Sequence, residues 1–133
     1  MALRVELVSP ERILYSGEAE MVVVRTLGGG EIAFMSGHAP FVGALAIAPA
    51  MVRTSEGDEV FAVHGGFVEV SNDTVTILSD VAELASQIDV ERAQRAKERA
   101  EERLRSGHDA EAEAALRRAH VRLTAAGRLS LVP

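Results

Sequence analysis

Around Ser86 the hydrophobic period of the chain switches from two to about three and a half, and that switch dictates a strand-built part followed by a helix-built part. Before it, "LRVELV" from Leu3 alternates apolar and polar residues, and "AEMVVVRT" is dense in β-branched valine. "EVFAVHGGFVEV" reads as two short runs broken by Gly65 and Gly66, and "DTVTIL" follows the turn "SND". Gly28 to Gly30 mark a further turn, and Pro40 and Pro49 are expected at loops or strand edges, since proline cannot donate to a ladder. Short strands at this spacing predict an antiparallel β-sandwich or flattened barrel.

After Ser86 the chain is mostly alanine and charge. Ser86 and Asp89 have the spacing of a capping box, and Glu91 falls in the first turn, where the helix dipole favours an anion. A helix is predicted to about Arg105. Gly107 then stops it, Asp109 caps a second one, and that helix runs to about Ala126 before Gly127. The predicted fold class is therefore α+β, with a β-sandwich over 1–85 and an antiparallel two-helix hairpin over 86–133. The 133 residues suffice for one core and such an appendage, and not for two full domains. Ala93, Ala96, Ala100 and Leu104 make one narrow apolar stripe, and Ala112, Leu116, Ala119, Leu123 and Ala126 make another. A stripe of mostly alanine methyls contributes only a few kcal/mol after ordering costs, so the hairpin is expected to be able to open.

Charge is divided in the same place. Residues 1–85 carry 12 acidic and 4 basic side chains, and residues 86–133 carry 8 acidic and 10 basic, for a net −6. An acidic chain lacks the basic face that phosphate backbones demand, which argues against nucleic acid as a partner. The absence of cysteine excludes disulfides, thiolate nucleophiles and cysteine-held zinc. "MALRVELVSP" carries Glu6 where a signal peptide would be apolar, and no run of 18 apolar residues occurs, so neither a signal peptide nor a membrane span is expected.

Few patterns point to chemistry. His38, His64, His108 and His120 share no metal-ligand spacing and read as structural or solvated. The glycines at 28–30 precede no Gly-Lys-Ser/Thr and no helix start. "HGG" at His64 resembles an oxyanion loop but has no serine elbow or cysteine to serve. Asp80 and Glu83 read either as an acid–base pair or as solvated caps between strand and helix. Asp89 and Arg92 read either as a first-turn i, i+3 ion pair or as part of a site. Folding the hairpin antiparallel brings Arg92 beside Arg122, giving two guanidinium forks, the Asp89 carboxylate and little bulk at Ala93. Such forks suit a polyphosphate.

Along nearly its whole length the sequence resembles the epsilon subunit of bacterial F-type ATP synthases. "GHAPFVGAL" at Gly37 is similar to that family's Gly-His-Ala-Pro turn, and "VHGGFVEVSNDTVTILSDVAE" to its Gly-Gly-x-x-Glu-Val hairpin with an acidic exit. "IDVERA" at Ile88 is similar to the Ile/Leu-Asp-x-x-Arg-Ala motif of its ATP-binding members. The resemblance implies a β-sandwich of about ten strands followed by two helices. It implies a non-catalytic rotor subunit whose sandwich binds the gamma subunit and the ring of c subunits. The hairpin lies folded on the sandwich in a permissive state, and extends toward the alpha and beta subunits to inhibit hydrolysis. No cofactor is required, but regulatory ATP is implied at Glu83, Asp89, Arg92, Ala93 and Arg122. Such a subunit sits at the cytoplasmic face of the cell inner membrane, held there only by the complex. Two positions depart: Ala33 stands where the family often has glycine, and Ala126 where some ATP-binding members carry another arginine. A free-standing adaptor or chaperone with the same two parts is the alternative function.

Overall fold

In the computed structural model residues 3–127 are described, so 1–2 of the predicted sandwich and 128–133 of the predicted hairpin lie outside the described residues. Alternation makes the first strand, β1 (Leu3–Val8), bury Leu3, Val5 and Leu7 while Arg4 stays exposed. β2 (Ile13–Ala19), β3 (Met21–Thr26), β4 (Gly30–Phe34), β5 (Phe41–Thr54), β6 (Gly57–Ser71), β7 (Thr74–Leu78) and β8 (Ala82–Leu84) follow. They pair in the order β2-β1-β7-β6-β5-β3-β4, with β8 on β6. Valines 22, 24, 52, 63, 68, 70 and 75 close with Phe34, Phe61 and Ile77 into one core, to which no helix contributes.

Among the described residues there are eight strands rather than about ten. One reason is that Gly65 and Gly66 bend a strand instead of ending one. β5 and β6 pair in a single register from Phe41 opposite Val70 to Thr54 opposite Gly57, so the two runs in "EVFAVHGGFVEV" belong to one strand of 15 residues. At the bend Gly65 and Gly66 have φ of +84° and +112°, and a Cβ on Gly66 would lie 2.0 Å from the Leu78 carbonyl oxygen. Pro49 sits within β5, not in a loop. It occupies the stretch between Leu45 and Met51 where β3 shifts register and leaves β5 unpaired on that side, so its missing N–H costs no ladder bond there. The sheet is antiparallel except where β1 runs parallel to β7, Arg4 lying opposite Thr74.

Two helices follow, α1 (Val90–Arg105) and α2 (Ala110–Ala125). The predicted Ser86 capping box does not form, because Ser86 lies in a single 3₁₀ turn over Ala85–Gln87. Asp89 is itself the cap, its Oδ1 accepting from the Arg92 backbone N–H at 3.0 Å. Asp109 caps α2 in the same way through Ala112, and also accepts from the Arg103 guanidinium at 2.7 Å, which ties the turn between the helices.

The apolar stripe predicted for α2 is only part of what that helix buries. Ala112, Ala119 and Leu123 are buried as expected, but so are Val121 and Ala125. These last two pack with Ala62, Ile88, Ile47 and Val60 in a second, smaller core on the outer face of the β5–β6 hairpin. α2 is thus clasped between the sheet and α1. The hairpin lies folded down on the sandwich.

Candidate functional site

Where β8, the start of α1 and the end of α2 converge, a cleft of about 400 Å³ opens to solvent. Glu83, Asp89, Arg92, Ala93 and Arg122 all line it. Glu83 is the middle residue of β8, Asp89 and Arg92 flank the first turn of α1, and Arg122 closes the last turn of α2. Ala93, with Ala96 and Ala115, gives the cleft a low apolar wall. Arg99 and Arg118 line it as well and were missed in the sequence. Their signal was present, since Arg99 is two turns beyond Arg92 and Arg118 one turn before Arg122, on the same helix faces.

The Asp89–Arg92 link is a cap and not an ion pair. Because Asp89 bonds the backbone N–H, the Arg92 guanidinium is left without a carboxylate partner among the described residues, as is that of Arg99. Arg118 pairs with Glu111 at 2.9 Å. The lining therefore presents four arginines against two carboxylates, a surplus of donors that suits an anion.

Glu83 is no member of an acid–base pair with Asp80, which is exposed and outside the cleft. Its Oε1 accepts from Arg122 Nε at 2.7 Å and from His64 Nε2 at 3.1 Å. Partial burial pushes the Glu83 carboxyl up, but the hydrogen bonds from Arg122 and His64 outweigh it and hold the group below the ordinary carboxylate range. His64 lies inside β6, and its side chain is only 5% exposed. With Nε of Arg122 occupied by Glu83, the terminal nitrogens of that guanidinium remain to face a ligand. Among the described residues no cluster of histidines and carboxylates is placed to hold a metal ion, and no helix is long and apolar enough to cross a membrane.

Residues 2–85 match the β-sandwich domain of the ATP synthase delta/epsilon chain, and residues 86–127 its long α-helix domain. The chain belongs to the ATP synthase delta/epsilon chain family. Within that family it is 51% identical over 124 residues to the ATP synthase epsilon chain of Streptomyces griseus, covering 92% of this chain and 94% of the relative. It is 54% identical over 103 residues to that of Brevibacillus brevis, covering 77% of each. The delta/epsilon fold also matches a chain in the Euglena gracilis mitochondrial ATP synthase OSCP/F1/c-ring structure, with a TM-score of 0.71 and 22% identity over 96% of this chain and 78% of that one.

Proposed function

We propose that this chain is a non-catalytic subunit of the central stalk of an F-type ATP synthase, turning with the rotor, and that its helical hairpin regulates hydrolysis in response to ATP. The observation that carries the regulatory reading is the composition of the cleft from three separate elements. Glu83 comes from the sandwich, Arg92 and Arg99 from α1, and Arg118 and Arg122 from α2, so the cleft exists only while the hairpin is folded down. A polyphosphate held there stabilises that state alone, by RT ln(1 + [ATP]/Kd). At a concentration equal to Kd this is about 0.4 kcal/mol, a bias, and a hundredfold excess gives about 2.7 kcal/mol, a switch.

Released, the helices carry basic side chains toward the alpha and beta subunits, and their extension inhibits hydrolysis. The gamma subunit and the c ring bind the sandwich. A surface for such a partner is the apolar patch on β5, β6 and β7 formed by Val42, Phe67 and Leu78, which are 70%, 59% and 49% exposed. Phe67 and Leu78 lie directly opposite each other there. Attachment to these partners holds the chain at the cytoplasmic face of the membrane.

Titration calorimetry of the intact chain with ATP tests the site. Arg92→Ala is expected to weaken binding by about 1.5–3 kcal/mol, the loss of a charge-assisted contact. Arg105→Ala, exposed at the far end of the hairpin, is expected to leave it unchanged. Equal binding by all three proteins, or no heat at several millimolar ATP, contradicts the nucleotide reading.

A further inference from the structure

His64 projects from the outer face of β6 into the seam between sandwich and hairpin, in line with Ala62, which α2 covers. Its Nε2 bonds the same Glu83 oxygen that accepts from Arg122 Nε. An ionised carboxylate only accepts, so the shared oxygen fixes the hydrogen on Nε2 and leaves Nδ1 of the neutral ring as a bare lone pair. That Nδ1 is buried and has no hydrogen-bond partner among the described residues. A proton added there would create an unpartnered donor in a water-poor seam and a cation facing Arg122 and Arg118 on α2. Glu83 on β8 is the only carboxylate among the charged groups acting on the ring, and its oxygen is already shared.

We propose that His64 is a proton-sensitive positioning residue of the cleft: as a neutral imidazole it holds Glu83 where it anchors Arg122, and its protonation releases the helical hairpin from the sandwich. The consequence for ATP rests on the nucleotide reading given above, whereas the latch itself needs no nucleotide. Burial lowers the His64 pKa most; the Glu83 hydrogen bond raises it and the two arginines lower it again, leaving it below the ordinary 6.5. Release restores the ordinary value. Docking is therefore at full strength above that value and weakens as pH falls through it toward the lower value of the docked state. Glu83, held below its ordinary 4.5, stays ionised throughout this window.

Hydrogen exchange of the α1 and α2 amides in the intact chain without nucleotide, normalised for intrinsic rates, reads the opening constant directly. Between pH 7.5 and 5.5 the wild-type constant is expected to rise several-fold, by at most about tenfold per pH unit because one proton is taken up. His64→Gln, whose amide nitrogen replaces Nε2 as a donor to Glu83 and does not titrate, is expected to show no such rise. Nitrogen-15 NMR of wild type, which needs no variant, is expected to show the neutral Nε2–H tautomer wherever the hairpin is docked. An equal pH response in both proteins, or a docked hairpin with a doubly protonated His64 ring, overturns the proposal. Calorimetry with ATP at the two pH values separates the readings: the ratio of wild-type to His64→Gln Kd cancels the titration of ATP itself and is expected to rise in acid. If neither protein binds ATP while exchange follows pH in wild type alone, the nucleotide reading falls and the latch stands.

Discussion

Gly66→Ala is expected to destabilise the sandwich by about 3 kcal/mol or more, a large part of the stability of a domain this size, and to lower its melting temperature by at least roughly 12 °C. Two costs combine. The residue sits at φ +112°, where an L side chain is strained, and its new Cβ would meet the Leu78 carbonyl oxygen at 2.0 Å and the Ser79 Cα at 3.0 Å. Both obstacles are backbone atoms where β7 ends, so no rotamer change relieves them. Gly65→Ala supplies the internal comparison. It also has positive φ, but its nearest obstacle is the Leu45 carbonyl oxygen at 3.8 Å, and it is expected to cost only about 1–2 kcal/mol. Thermal melts of the two variants within 2 °C of each other would show that the bend does not depend on the close approach at Gly66.

Arg122→Ala is expected to be the most damaging single change to nucleotide binding, weakening ATP by about 3 kcal/mol, more than a hundredfold. Arg92 offers only a ligand contact, whereas Arg122 also fastens α2 to β8. Its loss removes the donor 2.7 Å from Glu83, a pair whose side chains are each 30% exposed and which is worth on the order of 1 kcal/mol to docking. Calorimetry on Arg122→Ala and Arg92→Ala checks this. Losses of equal size would mean that the Glu83 bond contributes nothing to the docked state.

The parts of the fold that local chemistry determines could be read from the sequence. The end of α1 and both ends of α2 fall within a residue or so of expectation, because Gly107, Asp109 and Gly127 carry the stops and the cap in their own side chains or lack of them, whereas α1 is capped by Asp89, three residues beyond the expected Ser86. The other failures were non-local. Nothing near Arg4 announces a parallel partner at Thr74, and nothing at Gly65 and Gly66 distinguishes a bend inside a strand from a break between two. The second buried face of α2 had an unread sign. "VFAV" at Val60 is apolar on both strand faces, which happens when the outer face is covered too. Reading it would have placed His64, two residues on from Ala62, under the helix instead of leaving it either structural or solvated. The antiparallel hairpin sufficed to bring Arg92 and Arg122 together, but Glu83 entered only through the family resemblance, because its position depends on β8 pairing with β6.

Whether the folded hairpin permits hydrolysis and the released one inhibits it can be decided with a tether. The chain has no cysteine, so cysteines introduced at Val60 and Ala126, which both pack against the small core between sheet and α2, are unique attachment points. Cross-linked with a short bis-maleimide before assembly into the synthase, the chain cannot release its helices. Steady-state ATP hydrolysis by that complex is expected to be faster than with the same chain left uncross-linked, and to gain nothing further from raised ATP, which is expected to relieve only the uncross-linked complex. Equal hydrolysis by the tethered and untethered complexes would contradict the account.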